Sequence, residues 1–345
     1  MVAEVVNTSS TDVRAAAGVR VAIVGAGLMG GWHAHRAAAA GARIVAVADT
    51  DHERATRLAA RYRGCRAVGS LAEAMTLSNI VHICTPTGTH EPLVAEALRA
   101  RRHVVVEKPL AATVTTTAAL LALADAQGVL LCPVHQFVFQ DGVRAAAARL
   151  GSIAPVVHLD FLICSAGAIG GDDRTRDAVA VEVLPHPLSI VASLLPGVLP
   201  RMQWSVQRPA AGELRVLGGV NEISISMVVS MRARPTRNRL EILGARGTMH
   251  VDLFHGYVSH YDGAVSRHRK VTQPFVIATT DLAAAAANLV RRAMRREPAY
   301  PGLSRLLEEF YRAVGSGGPC PLPPGDTLAV AQSLEVIVRE AGLVN

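Results

Sequence analysis

From Val19 onward, short runs of uninterrupted apolar residues alternate with longer stretches in which apolar and polar positions recur at helical spacing. Arg20–Val24, Arg43–Ala48, Ile80–Cys84, His103–Val106 and Val129–Cys132 read as strands. Leu28–Ala40, Asp51–Tyr62, Glu91–Arg101 and Thr113–Ala126 read as the helices between them. Strands that are apolar on both faces and alternate with helices predict a parallel sheet covered on both sides and wound through right-handed crossovers. The expectation is an α/β, doubly wound domain over residues 19–140, preceded by a small, polar, flexible tail at residues 1–18.

Past Asp141 the pattern changes. Val156–Ile163 reads as a strand, followed by a Gly/Asp/Arg-rich loop and a helix from near Pro185. Further strands are predicted at Met202–Gln207, Ile223–Val229, Arg239–Leu243, Thr248–Leu253 and Tyr257–His260, with Gly244–Gly247 as a hairpin turn. Leu282–Arg296, Leu303–Val314 and Thr327–Glu340 close the chain as helices, the last opened by Asp326 as N-cap. This order predicts a second α/β domain, residues 141–345, built on a large, mainly antiparallel open sheet with helices on one face.

Composition narrows the function classes. The 345-residue chain is half apolar and 18% charged, enough for two packed domains. Its net charge of +7 is scattered, and the one dense basic cluster, Arg291, Arg292, Arg295 and Arg296, lacks interleaved aromatics, so nucleic acid is not an expected partner. Five cysteines without a C-x-x-C pair fit reduced thiols better than a disulfide framework or a zinc site. The spacing of His250, His255 and His260 matches no metal pattern, and no metal is expected. The N-terminus lacks the basic and apolar regions of a signal peptide. The most membrane-like stretch, Leu120–Leu131, is short and carries Asp125 and Gln127. A cytoplasmic protein without a membrane partner is expected.

The first strand runs into Gly25-Ala-Gly27-Leu28-Met29-Gly30, which opens a helix, and Asp49 ends the next strand 19 residues after Gly30. Strand, G-x-G-x-x-G, helix and a following acid together form the dinucleotide fingerprint. Gly25 allows the tight turn, Gly27 lets backbone approach a pyrophosphate, and Gly30 lets helix and strand pack closely. The helix N-terminus presents free N–H groups to the phosphates. Asp49 accepts from the ribose hydroxyls and repels a 2′-phosphate, which favours NAD over NADP, although Arg54 softens that preference.

Only two of the 35 basic residues are lysine, Lys108 and Lys270. Lysine can change protonation near neutrality, whereas arginine in practice cannot. Lys108 sits in Glu107-Lys108-Pro109, at the carboxyl end of a strand, where open α/β sheets bind their ligands.

Gly25–Gly30 with His33, then Cys84-Thr85-Pro86 with His90, then Glu107-Lys108-Pro109 resemble the Gfo/Idh/MocA oxidoreductases. That family includes glucose–fructose oxidoreductase and inositol dehydrogenases. The resemblance extends through Glu241–Asp252 to the closing helix. It implies cofactor contacts from Gly25, Gly27, Leu28, Met29, Gly30, Asp49, Cys84, Thr85, Pro86, His90, Glu107, Lys108 and Gln136. It also implies a C-terminal sheet used for homo-oligomerisation. The family's D-x-x-x-H element matches here as Glu182-Val-Leu-Pro185-His186, with Glu182 in the place of the Asp and His186 as general acid/base. Pro185 and Pro187 make this an irregular first helical turn.

The glycines that usually precede this element are replaced around Arg176–Ala178, and the expected Asn/Arg motif reads His135-Gln136-Phe137. Arg176, Asp177 and His158 are therefore further candidates for substrate contact. His33, His35, His82 and His103 read as surface or packing residues. The expected catalytic set is Lys108, His186 and Glu182, acting on a small polar substrate. The leading expectation is hydride transfer between NAD(H) and a secondary alcohol or ketone of a sugar, polyol or nucleotide sugar. Imine or thiazoline reduction and NAD-dependent glycosidase chemistry are alternatives on the same scaffold. A non-catalytic dinucleotide-sensing regulator is the alternative of a different class.

Overall fold

The computed structural model describes residues 18–263, 269–295 and 299–343. The expectation of a flexible tail therefore falls, but for residue 18, outside the described residues, as does Arg296 of the basic cluster. The chain divides into two units. One holds the described residues through Val134 together with Leu303–Leu328; the other holds His135–Gly302 and the described residues from Ala329.

The first unit is a six-stranded sheet in the order β3-β2-β1-β4-β5-β6. Its strands are β1 (Arg20–Val24), β2 (Arg43–Ala48), β3 (Arg66–Val68), β4 (Ile80–Ile83), β5 (His103–Val106) and β6 (Leu131–Pro133). Every pairing is parallel. Helices α1 (Leu28–Ala39), α2 (His52–Ala59), α3 (Leu71–Leu77), α4 (His90–Arg99) and α5 (Val114–Gln127) connect the strands. Side-chain caps settle several helix starts: Asp51 accepts from Arg54 N, Ser70 from Glu73 N and Thr113 from Thr116 N.

Ala22, Val24, Val81, Ile83, Val104 and Val106 form one core with Leu98 of α4 and Leu120 of α5. The two-residue repeat of a strand turns Val21, Ile23, Ile80, His82 and Val105 to the opposite face. The helix Leu303–Ser316 packs against α1 and buries Leu303, Leu306, Leu307, Phe310 and Tyr311. A contiguous first domain ending at residue 140 is thus corrected: a late amphipathic helix completes the first unit, through packing that local pattern does not carry.

The second unit is a seven-stranded sheet in the order β13-β12-β11-β7-β10-β9-β8. Its strands are β7 (Val156–Cys164), β8 (Gln203–Ala210), β9 (Glu213–Val220), β10 (Ile223–Ser230), β11 (Arg237–Gly244), β12 (Gly247–Asp252) and β13 (Tyr257–Asp262). Only β7 and β10 pair in parallel; the other pairings are antiparallel. The remaining helices are α6 (Asp141–Ile153), α7 (Asp173–Val183), α8 (Pro185–Leu194), α9 (Arg269–Met294), α10 (Leu303–Ser316, in the first unit) and α11 (Pro324–Glu340). Leu159, Phe161, Met227, Leu240, Ile242 and Met249 share a core with Ala146 of α6 and Leu188 and Val191 of α8. The class is α/β, as the alternation of patterns predicts.

Three local expectations change. The Gly/Asp/Arg-rich stretch holds α7, which starts where Asp172 accepts from Thr175 N. Helix α11 begins at Pro324, so Asp326 lies within its first turn rather than at the cap. Leu184 keeps helical dihedrals between α7 and α8, while Pro185 and Pro187 withhold the N–H groups that would make one continuous ladder. The joined stretch Asp173–Leu194 is apolar enough by length and composition to cross a membrane, and 56% of its apolar 18-residue window is buried inside the protein.

Candidate functional site

The glycines of the first turn are fixed by contact. Gly25 has φ of 94°, its N–H donates to Ala48 O (2.8 Å), and a Cβ there would lie 2.7 Å from Cys84 O. A Cβ on Gly30 would lie 1.8 Å from Gly25 O, so only glycine lets α1 start this close to the turn. At Gly27, by contrast, a Cβ would meet nothing within 4 Å: its backbone faces open space. Gly27 caps α1 without a side chain, which leaves the first N–H groups of the helix for another acceptor. Beside them opens a cavity of about 910 Å³, lined by Ala26, Gly27, Leu28, Trp32, Arg54 and Tyr62 among others. Leu28 is exposed on the cavity lining and Met29 is half-buried.

Asp49 holds this turn from the end of β2. Its Oδ2 accepts from Ala26 N (2.6 Å) and its Oδ1 from Asp51 N (2.8 Å). Arg54, expected near the ribose, pairs with Asp51 at 3.0 Å.

Behind β5 lies a buried polar chain. His33 Nε2 lies 3.1 Å from Glu107 Oε1, and His33 Nδ1 lies 3.0 Å from His82 Nδ1. His82 Nε2 lies 3.0 Å from the Tyr311 hydroxyl. His33, His82 and Tyr311 are at most 2% exposed. Burial alone would lower the His33 pKa, but Cys84 and Glu107 beside it outweigh burial and raise it. The Cys84 thiol, itself raised by burial, is neutral at physiological pH, so Glu107 is the counter-charge. Burial would raise Glu107, yet the bond to His33 and the charges of His33 and Lys108 bring it below its usual range. Burial, then the charge on His33, push His82 well below its ordinary value.

Proton positions follow. Charged His33 donates through Nε2 to Glu107 and through Nδ1 to His82; neutral His82 carries its proton on Nε2 and donates to Tyr311. The second Glu107 oxygen accepts from Lys108 N at 3.3 Å. Past Lys108, His90 reaches Pro109 O and Thr85 O, both at 2.9 Å, and so joins the loops after β4 and β5.

This geometry revises several expected contacts. Glu107 and His90 are turned inward as braces, and Cys84 directs its thiol to His33 while its carbonyl lies under Gly25. Thr85 is half-buried and Pro86 exposed just after the end of β4. His33 and His82, expected at the surface or in packing, are both fully buried and hydrogen-bonded to each other, with the charge on His33 alone. Sequence parity held the signal: His82 interrupts an apolar strand on the face that α1 covers.

In the second unit, His186 opens α8 and stacks on Phe137, with ring centroids 4.2 Å apart and planes 11° from parallel. Gln136, in the same turn as Phe137, is buried, and its Oε1 has no hydrogen-bond partner. Glu182 is exposed on the last turn of α7, while His186 is half-buried. Arg176 is held locally, by Gly171 O (2.6 Å) and Asp173 (2.5 Å), and Asp177 binds Arg208 and Gly212 N. His158 alternates with the core residues Leu159 and Phe161, so it lies on the sheet face away from α8, bonded to Ser224 and Ser226. The structure does not bring His158 to His186.

A glycine turn, an uncapped helix start and a strand-end carboxylate define a dinucleotide-binding domain, and this donor set fits an anionic pyrophosphate. Residues 19–135 match the model of the Gfo/Idh/MocA oxidoreductase family, NAD-binding Rossmann fold. It is 37% identical over 137 residues to inositol 2-dehydrogenase 1 of Mycolicibacterium vanbaalenii, covering 38% of this chain and 40% of that protein. It is 30% identical over 222 residues to the dTDP-3,4-didehydro-2,6-dideoxy-alpha-D-glucose 3-reductase of Streptomyces violaceoruber, covering 60% and 64%. Each match spans less than two thirds of the relative's length. Among solved structures it resembles GenD2 from gentamicin A biosynthesis, in complex with NAD, with a TM-score of 0.71, 26% identity and 94% of both chains covered.

Proposed function

We propose that this protein is an NAD(H)-dependent oxidoreductase that moves hydride between nicotinamide and a secondary alcohol or ketone of a sugar, polyol or nucleotide sugar. The observation that carries this reading is the setting of Lys108. At the carboxyl end of β5, its peptide is braced by Glu107 before it and, through Pro109, by His90 after it. The names of the relatives, an inositol dehydrogenase and a nucleotide-sugar 3-reductase, support a polyol or sugar substrate.

Bound NAD supplies the hydride acceptor. The N–H groups that open α1 hold its pyrophosphate, and Asp49 accepts from its ribose hydroxyls. The carboxylate favours NAD over NADP by repelling a 2′-phosphate. Lys108 stabilises negative charge on the substrate oxygen. His186, held flat on Phe137, takes the hydroxyl proton in oxidation and returns it in reduction. Glu182, on the last turn of α7, completes the proposed catalytic set. The second unit supplies the substrate contacts, and its open sheet face is the surface for self-association in the cytoplasm.

The test is absorbance at 340 nm with NAD and a panel of inositols, hexoses and UDP- and dTDP-sugars. Reduction of NAD by at least one class is expected. NAD binding without reduction across the panel, and without oxidation of NADH by the keto forms, would replace this reading with that of a dinucleotide-sensing regulator.

A further inference from the structure

We infer that His33 is a positioning residue for Lys108, acting through Glu107 and seated on His82 and Tyr311. The inference rests on the reading of Lys108 given above. The chain is continuous: Tyr311 to His82 at 3.0 Å, His82 to His33 at 3.0 Å, His33 to Glu107 at 3.1 Å, and Glu107 to Lys108 N at 3.3 Å. It draws on four separate elements, since α10 supplies Tyr311, β4 His82, α1 His33 and the end of β5 Glu107.

Filling the space between α1 and β4 does not require these residue types. Ile23 and Ile80 occupy the same sheet face, and apolar side chains there avoid the cost of desolvating a charge. A buried ion pair is instead a directional support. With His33 fixed by His82, the Glu107 carboxylate has one orientation, and its second oxygen sets the Lys108 peptide. The titratable groups that face His33 are His82 from β4, Cys84 from the loop after it and Glu107 after β5; Tyr311 of α10 faces His82.

The two lysines of the chain make a direct test possible. Reductive ¹³C-methylation followed by NMR gives signals for Lys108, Lys270 and the α-amino group, assigned with Lys270→Arg and Lys108→Arg. In His33→Leu, the Lys108 signal and its titration midpoint are expected to move while those of Lys270 stay. Turnover with the best substrate of the 340 nm panel should fall at least tenfold, with KM for NAD within twofold. His33→Gln, which still donates to Glu107, should recover most of both.

An unmoved Lys108 signal in a folded His33→Leu protein, or turnover within twofold of wild type, would overturn the inference. If His33→Leu does not fold, Glu107→Gln serves with the same expected and overturning results. If no substrate is found, the dehydrogenase reading fails by itself, and the NMR comparison still decides whether His33 controls Lys108.

Discussion

The His186 imidazole lies face to face with the Phe137 ring, 4.2 Å between centroids and 11° from parallel, so one side chain sets the plane of the other. Stacking of this kind is worth about 0.5–1.5 kcal/mol beyond burial. His186→Asn is expected to lower kcat by about 10²–10⁴-fold, the usual contribution of a positioned acid/base. Phe137→Leu should cost up to about tenfold through loss of ring orientation. Steady-state kinetics checks both, and equal kcat in His186→Asn and wild type would remove this residue from the mechanism.

Gly30 tests the cofactor turn. A methyl group there overlaps Gly25 O, so helix and turn must separate. Overpacking of about 1–3 kcal/mol corresponds to a Tm lowered by about 2–12 °C. Gly30→Ala is also expected to bind NADH more weakly, as read by fluorescence titration. Gly27→Ala should leave Tm nearly unchanged, because its added methyl meets only open space, and should still weaken NADH.

Asp49 has a double duty: it binds Ala26 N and Asp51 N, and it faces the adenosine end of the cofactor in the reading above. Loss of a hydrogen bond to a charged group costs about 1.5–3 kcal/mol. Asp49→Ala is expected to weaken NAD about 10–150-fold and to shift the NAD/NADP preference toward NADP. Wild-type protein that already prefers NADP would contradict the assignment of NAD.

The His33–Glu107 pair also fixes a pH dependence of stability. His33 is raised above its unfolded 6.5, so its contribution is fully present below pH 6.5 and disappears as pH rises through the folded value. Glu107 is lowered from 4.5, so its contribution is present above pH 4.5 and disappears as pH falls through its folded value. The stability gap between wild type and His33→Gln, measured by urea unfolding, should be widest near pH 5–6 and narrow toward pH 10. A gap constant from pH 6 to 10 would show that His33 is buried neutral.

The sheet of the first unit was legible because its strands are apolar on both faces and its glycine turn has a spacing that few other structures need. What local pattern could not show was long-range or weakly apolar. β3 has three residues, and β9 mixes Glu213, Arg215 and two glycines into its run. The Asp- and Arg-rich start of α7 reads as loop, although Asp172 caps it. Lys108 stood out by residue type alone. Its supports did not: a His on α1, another on β4 and a Tyr more than 200 residues later meet only after the chain has folded. His158 was misplaced because residue type took precedence over strand parity.

Lys108→Met tests the account most directly, because it removes the cation and keeps much of the side-chain volume. NADH should bind the variant within about threefold of wild type by fluorescence titration. Turnover with the substrate found at 340 nm should fall by at least about 10²-fold, as removal of a group that stabilises developing charge does. Turnover within a few fold of wild type would contradict the central claim that chemistry takes place at Lys108.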